Sequence, residues 1–138
     1  METSGRKRVI LVCGPANTGK TESIRRFLES LGIVFPKRPS DITIVMQIQK
    51  DGILRNLGVT SAGEEPEVIK RNLQFLNGHP WDVIICAAKS QGNTTDHVRE
   101  FADSGRAELI LVPTSRVDAR EVEGARRRVA QKIGNYIW

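Results

Sequence analysis

The sequence predicts an α/β fold, with a mostly parallel sheet of about five strands and an antiparallel hairpin at one edge. Three observations predict it. Short β-branched apolar runs alternate along the chain with segments of helical period. The run Trp81-Asp82-Val83-Ile84-Ile85-Cys86-Ala87-Ala88 is almost continuously apolar, as in a strand buried on both faces of a parallel sheet. Asp51-Gly52 separates two strand-like segments and is the strongest short hairpin signal in the chain. With 138 residues, the chain fits one domain spanning 1–138.

The first strand is Arg8-Val9-Ile10-Leu11-Val12-Cys13. A glycine-bearing loop comes next, and then a helix on which Ile24, Phe27, Leu28 and Leu31 recur at i, i+3, i+4 and i+7, stopped by Gly32. Two prolines mark residues 33–40 as a connector. Ile42, Ile44, Met46 and Ile48 then alternate with other residues to give a strand with one strongly apolar face. Ile53 to Thr60 reads as the return strand, with Ile53, Leu57 and Val59 on one face; a helical turn over 53–57 is the competing reading.

Residues 61–65 form a loop before a helix that opens at Pro66, with Glu64, Glu65 and Glu67 at its positive end. Ile69, Leu73 and Leu76 make its buried stripe, Val68 and Phe75 lie beside them, and Asn77-Gly78 ends it. After the apolar strand comes the polar loop 89–93. Thr94 or Thr95 serves as the cap of a helix that ends near Ser104-Gly105. Glu108-Leu109-Ile110-Leu111-Val112 is the last strand. The last helix runs from about Asp118 to Lys132, with Asp118 and Glu121 as a capping signal. Val122, Val129 and Ile133 face its core, and Arg120, Arg126, Arg127, Arg128 and Lys132 give it a basic, solvated exterior.

Composition narrows the function classes. No apolar run approaches the ~20 residues of a membrane span, and the charged N-terminus leads into no hydrophobic segment of signal-peptide type. The expectation is a cytoplasmic protein without a membrane partner. Cys13 and Cys86 lie in buried strands without metal-site spacing and read as reduced core residues; His79 and His97 read as surface residues. The net charge of +5 permits a nucleic-acid partner, but the chain lacks the aromatic platforms on which single strands stack.

The stretch that carries chemistry is Gly14-Pro15-Ala16-Asn17-Thr18-Gly19-Lys20-Thr21, which fits G-x-x-x-x-G-K-[ST] at every fixed position. It stands between a strand and a helix, the context the pattern requires. Its glycines let the backbone curl so that N–H groups converge on one anion, and the helix N-terminus adds unpaired donors and a positive dipole end. Lys20 can reach the outer phosphates of a nucleotide, and the Thr21 hydroxyl can ligate Mg²⁺.

By these residues the chain resembles the P-loop NTPase superfamily, most closely in layout the small nucleoside- and nucleotide-kinase-like proteins. The strict resemblance covers about residues 8 to 32. It implies a three-layer α/β/α fold and a purine nucleoside triphosphate, ATP first, held with Mg²⁺ by Gly14, Pro15, Ala16, Asn17, Thr18, Gly19, Lys20, Thr21 and Glu22. It also implies an acid at the end of a second core strand, and here the sequence departs from the family. The candidate strand ends Cys86-Ala87-Ala88, while Asp82 stands at its start. Glu64 is the first substitute as metal ligand beside Thr21, and Asp51 the second. Lys89, directly after a buried strand, is the candidate second catalytic cation with Lys20; Arg116 and Arg120 are placed similarly.

Four loops are expected at the carboxyl edge of the sheet: the phosphate loop, 61–65, 89–93 and 114–120. A GTPase is disfavoured, because no D-x-x-G occurs and Ser115-Arg116-Val117-Asp118 lacks the Asn/Thr and Lys of the base-reading motif. The remaining expectation is a small kinase-like phosphotransferase acting on an unknown small-molecule acceptor. Its alternative is a nucleotide-binding regulatory or accessory ATPase that works with a protein or nucleic-acid partner.

Overall fold

The computed structural model describes residues 7–15, 18–33, 42–61, 65–88 and 93–138. Five strands form one sheet: β1 (Arg8–Cys13), β2 (Thr43–Lys50), β3 (Ile53–Thr60), β4 (Val83–Ala88) and β5 (Glu108–Pro113). Their order across the sheet is β2-β3-β4-β1-β5. β1 runs parallel to β4 on one side and β5 on the other, β3 runs parallel to β4, and β2 is antiparallel to β3. The mostly parallel five-stranded sheet with an antiparallel edge pair is thus present.

The helices are α1 (Lys20–Ser30), α2 (Pro66–Asn77), α3 (Asn93–Ser104) and α4 (Val122–Asn135). Side chains alternate across each strand, so the sheet feeds two cores. Ile10 and Val12 of β1, with Val83 and Ile85 of β4, pack against Ile24, Phe27 and Leu28 of α1 and Val129 and Ile133 of α4. Val9 and Leu11, with Ile84 and Cys86, pack against Ile69, Leu73 and Leu76 of α2 and Val98 and Ala102 of α3. β4 is buried at all six positions, which is why its sequence is apolar without alternation.

The turn between β2 and β3 has the geometry its sequence predicts. Asp51 and Gly52 both take positive φ (53° and 82°), as a type I′ turn requires. The full eight-residue pairing, Thr43↔Thr60 through Lys50↔Ile53, excludes the competing helical turn. Only Leu57 to Thr60 pair with β4, so the tip of the hairpin projects past the rest of the sheet. That overhang corrects one expectation: Ile53 is exposed instead of facing the core with Leu57 and Val59.

Four further expectations are corrected. Phe75 is 51% exposed, with its ring against that of His79. Leu31 stands past the end of α1 as its cap and is also exposed. Thr94 and Thr95 do not cap α3, which already starts at Asn93; both side chains are buried in its first turn. The chain enters α4 through a 3₁₀ turn, Ala119–Glu121, and the Asp118 side chain makes no capping bond; the helix starts at Val122 and continues to Asn135.

The position least visible in the sequence is Arg55, on β3 just after the exposed Ile53 and Leu54 and yet only 2% exposed. Its Nε donates to the carbonyl of Ile137 at 3.0 Å, and Arg8 Nη1 donates to the carbonyl of Tyr136 at 2.9 Å. Two cations from the sheet thereby hold the carbonyls just past the negative end of α4. Asp82 Oδ2 accepts from the amide of Asn56 at 2.7 Å, which places Asp82 where β4 begins, away from the loop after β1.

Candidate nucleotide-phosphate site

The site grows from the end of β1. Its last residue, Cys13, lies in register with Ala88 of β4 and Pro113 of β5. The loop that leaves Cys13 is therefore flanked by the segments that leave the two neighbouring strands. On the β5 side this is Thr114, whose amide donates to the carbonyl of Cys13 at 2.7 Å and so extends the pairing by one residue.

Thr114 also clamps the loop through its hydroxyl. Thr114 Oγ1 lies 3.1 Å from the Cys13 carbonyl and 2.6 Å from Thr18 Oγ1, and Thr18 Oγ1 lies 2.7 Å from the Pro15 carbonyl. Three contacts share two hydroxyl protons, which ties both ends of the loop to one strand end. Gly14 is needed for this closeness. A Cβ there would stand 2.2 Å from Thr114 Oγ1 and 2.6 Å from the Thr114 carbonyl oxygen. No other residue type fits.

Lys20 lies at the centre. It is the first residue of α1, 6% exposed, and its Nζ donates to the carbonyls of Gly14 (3.0 Å) and Pro15 (2.9 Å). The ammonium thus rests on the ascending limb of the same loop that its own helix terminates. Gly19 caps the helix in the left-handed conformation (φ 81°, ψ 27°), no side chain caps its first turn, and the first helical bond runs from Ser23 N to Gly19 O at 2.8 Å. Gly19 has no side chain with which to cap the first-turn amides. Thr21 is half-buried beside Lys20, and Glu22 lies 3.6 Å from Arg25 of the next turn.

No family model matches this chain, and no curated protein matches it. The chemistry of the site therefore rests on its own atoms.

Of the nine residues expected to hold nucleotide, Gly14, Pro15, Thr18, Gly19, Lys20, Thr21 and Glu22 are brought together in this loop and first turn. Ala16 and Asn17 lie outside the described residues, as do Glu64 and Lys89. Asp51, the second choice as metal ligand, is excluded by position: it sits in the hairpin turn that precedes β3, at the opposite edge of the sheet from the loop after β1. Thr60 and Ser61 do stand at the carboxyl end of β3, but their hydroxyls tie the hairpin together. Ser61 Oγ accepts from Ile42 N at 2.7 Å, and Thr60 Oγ1 meets Thr43 Oγ1 at 3.0 Å. Among the described residues, no group of three or more His, Cys, Asp or Glu is arranged to hold a metal ion.

The cysteines behave as core residues. Burial raises the Cys13 thiol, against the lowering field of the Lys20 ammonium. Burial pushes Cys86 up to about 12, with the nearby Cys13 adding to it. Neither is a thiolate nucleophile near neutral pH.

The sequence reading missed a cavity of about 560 Å³ beside the loop, between the first turn of α1, the segment after β5 and one face of α4. Arg116, Arg126, Arg128 and Lys132 line it, together with Thr18 and Gly19. The solvated reading of the arginine run holds for Arg127 and Arg128, which are exposed, and is corrected for Arg126, which is half-buried with its Nε shielded from solvent. Arg127 turns to Glu123 at 3.4 Å, and Glu123 also takes Arg26 of α1 at 2.6 Å. Desolvation acts to raise the Glu123 carboxyl, and the bonds and charges of Arg26 and Arg127 hold it below its ordinary value nonetheless. The signal that could have found Arg126 is its spacing. It stands four residues after Val122 and three before Val129, on the face that the apolar pattern assigns to the core.

Proposed function

We propose that this protein binds a purine nucleoside triphosphate, ATP first, with Mg²⁺ through residues 14–22, and that it is a small kinase-like phosphotransferase of the P-loop superfamily. One observation carries the reading. A buried lysine lies on the carbonyls of a glycine-hinged loop that joins a central parallel strand to a helix N-terminus without a side-chain cap. A cation and the positive dipole end of a helix there favour one kind of guest, a polyphosphate. The placement of α1 and α4 on one face and α2 and α3 on the other supports the three-layer fold of that superfamily.

The donor set fits the ligand. The amides of residues 19–22 and the Lys20 ammonium would hold phosphate oxygens, and the Thr21 hydroxyl would take a position on Mg²⁺. The metal ion with its phosphates would supply charge neutralisation and alignment of the transferred group. Glu64 is proposed to hold the ion through water, and Lys89 to neutralise the phosphoryl group opposite Lys20. The reading predicts that Lys20→Ala weakens binding of ATP with Mg²⁺ by about 1.5–3 kcal/mol, the range for hydrogen bonds to charged groups. Calorimetry on the folded variant and wild type checks it, and equal affinities would remove the assignment. Glu64→Gln and Lys89→Ala should reduce phosphoryl transfer while leaving the melting temperature nearly unchanged.

A second reading has an observation of its own. The strand ends that flank the loop are Ala87-Ala88 and Val112-Pro113, with no acid to assist the metal. A partner chain could complete such a site, as in a regulatory or accessory ATPase. ADP release that depends on an added nucleoside, nucleotide or small alcohol supports the kinase; release stimulated only by a protein or nucleic acid supports the accessory role.

A further inference from the structure

Four cations line the cavity beside the loop, and none of them is neutralised. Arg116, Arg126, Arg128 and Lys132 make no hydrogen bond or ion pair among the described residues, in contrast to Arg26 and Arg127 nearby, which share Glu123. Arg126 Nε is shielded from solvent yet has no hydrogen-bond partner, and it would lie only 3.2 Å from a Cβ on Gly19. No Asp or Glu and no aromatic ring is among the described lining residues; the floor is aliphatic, with Val122 and Val129. Like charges gathered in one concavity repel each other, and a desolvated guanidinium nitrogen without an acceptor costs free energy. Both penalties are relieved by one kind of guest. The excess of positive charge without a counter-charge favours an anion, and a phosphate would take bidentate contacts from arginine.

We propose that this cavity binds a phosphate monoester, distinct from the phosphate chain cradled by residues 14–22. The cavity opens on Thr18 and Gly19, so the second phosphate stands next to the first turn of α1. It is carried either on the ribose of the bound nucleotide or on a separate small molecule bound beside it. The inference rests on the nucleotide reading for what occupies the loop, and on the cavity's own charges for the second group. Nucleic acid, which offers diester phosphates, is the competing source of anions.

The test is titration calorimetry with four probes: ADP, ADP carrying a 2′- or 3′-phosphate, glycerol phosphate added to the ADP-saturated protein, and a short single-stranded oligonucleotide. Each is measured on wild type, on Arg126→Gln/Arg128→Gln and on Lys20→Ala. A ribose phosphate that tightens ADP binding at least tenfold in wild type, with that gain lost in the double variant, supports the proposal with the nucleotide as source. Glycerol phosphate binding below about 1 mM, lost in the double variant, supports it with a second molecule as source. No gain from any phosphomonoester, a gain that survives the double variant, or arginine-dependent binding of the oligonucleotide alone overturns it. Lys20→Ala separates the two readings. If it leaves ADP affinity unchanged the loop assignment falls, while the arginine-dependent response to a phosphomonoester still decides the cavity.

Discussion

Thr114 is the residue that turns a glycine motif into a shaped loop. Its amide and hydroxyl hold Cys13, and its hydroxyl meets Thr18 across 96 residues of sequence. That separation is why the clamp was not legible. The motif itself is local, and so are the reasons for Gly14, Gly19 and Lys20, but nothing near Thr114 in sequence announces which loop it will touch. The arginine run shows the same limit. Its charge is plain, yet which of three adjacent guanidinium groups is shielded depends on the α1–α4 packing that sets Arg126 against Gly19. Gly14 gives the sharpest check at this scale. Gly14→Ala puts a methyl group 2.2 Å from a hydroxyl and 2.6 Å from a backbone oxygen of Thr114, so the loop must leave the strand end. The expected cost is about 1–3 kcal/mol by urea denaturation, with loss of nucleotide affinity. Adding Thr114→Ala removes the hydroxyl but leaves the backbone clash, so the double variant should stay impaired. Full recovery in that variant would show the clash to be with the side chain alone.

At the scale of elements, every strand and helix expected from period and turn chemistry is present, and the misses lie at ends and faces. The Asp-Gly turn was readable because only certain residues accept two successive positive φ values. The start of α4 was not, because Asp118 and Glu121 match a capping pattern while the chain spends those residues on a 3₁₀ turn. Arg55 shares a face with Ile53, Leu57 and Val59, and period alone gives a cation on that apolar face no partner. It is buried because the end of α4 needs a donor for its carbonyls where it meets the sheet. Arg55→Ala should therefore destabilise the fold by about 1.5–3 kcal/mol, the range for a hydrogen bond to a charged group. Gly52→Ala, at φ 82° with open space around it, should cost about 1–2 kcal/mol through backbone strain alone. Urea midpoints measure both. Hydrogen exchange distinguishes them: the first should loosen the end of α4 near Tyr136 and Ile137, the second only the hairpin.

Across the whole molecule, the strand order gathers the loop after β1, the segment after β5 and the start of α4 at one edge, while the ties at Arg8, Arg55 and Asp82 hold the other. The sequence specified the alternation that makes such an edge. It did not specify the order β2-β3-β4-β1-β5 or the cavity, which depend on which strands become neighbours. The same order puts β4 between β3 and β1 and seals Cys86 from solvent, with Sγ 3.7 Å from the Ile10 carbonyl. This makes stability at high pH a measurement of the assembled sheet. Burial first, and the neighbouring Cys13 second, push the Cys86 thiol from 9.0 to about 12. The folded state thus keeps the proton that the unfolded chain releases. Below the unfolded value both states are protonated, and the thiol's contribution to stability is fully present. As pH rises from 9.0 towards about 12 the unfolded state alone ionises, and stability falls throughout that window. The comparison must be with Cys86→Ala, which lacks only this group. Urea midpoints at pH of about 8 and about 10.5 should show wild type losing more stability than Cys86→Ala between the two values. If both lose the same amount, Cys86 ionises as readily in the folded sheet as in the open chain, and the tight packing of β4 against β1 fails with it.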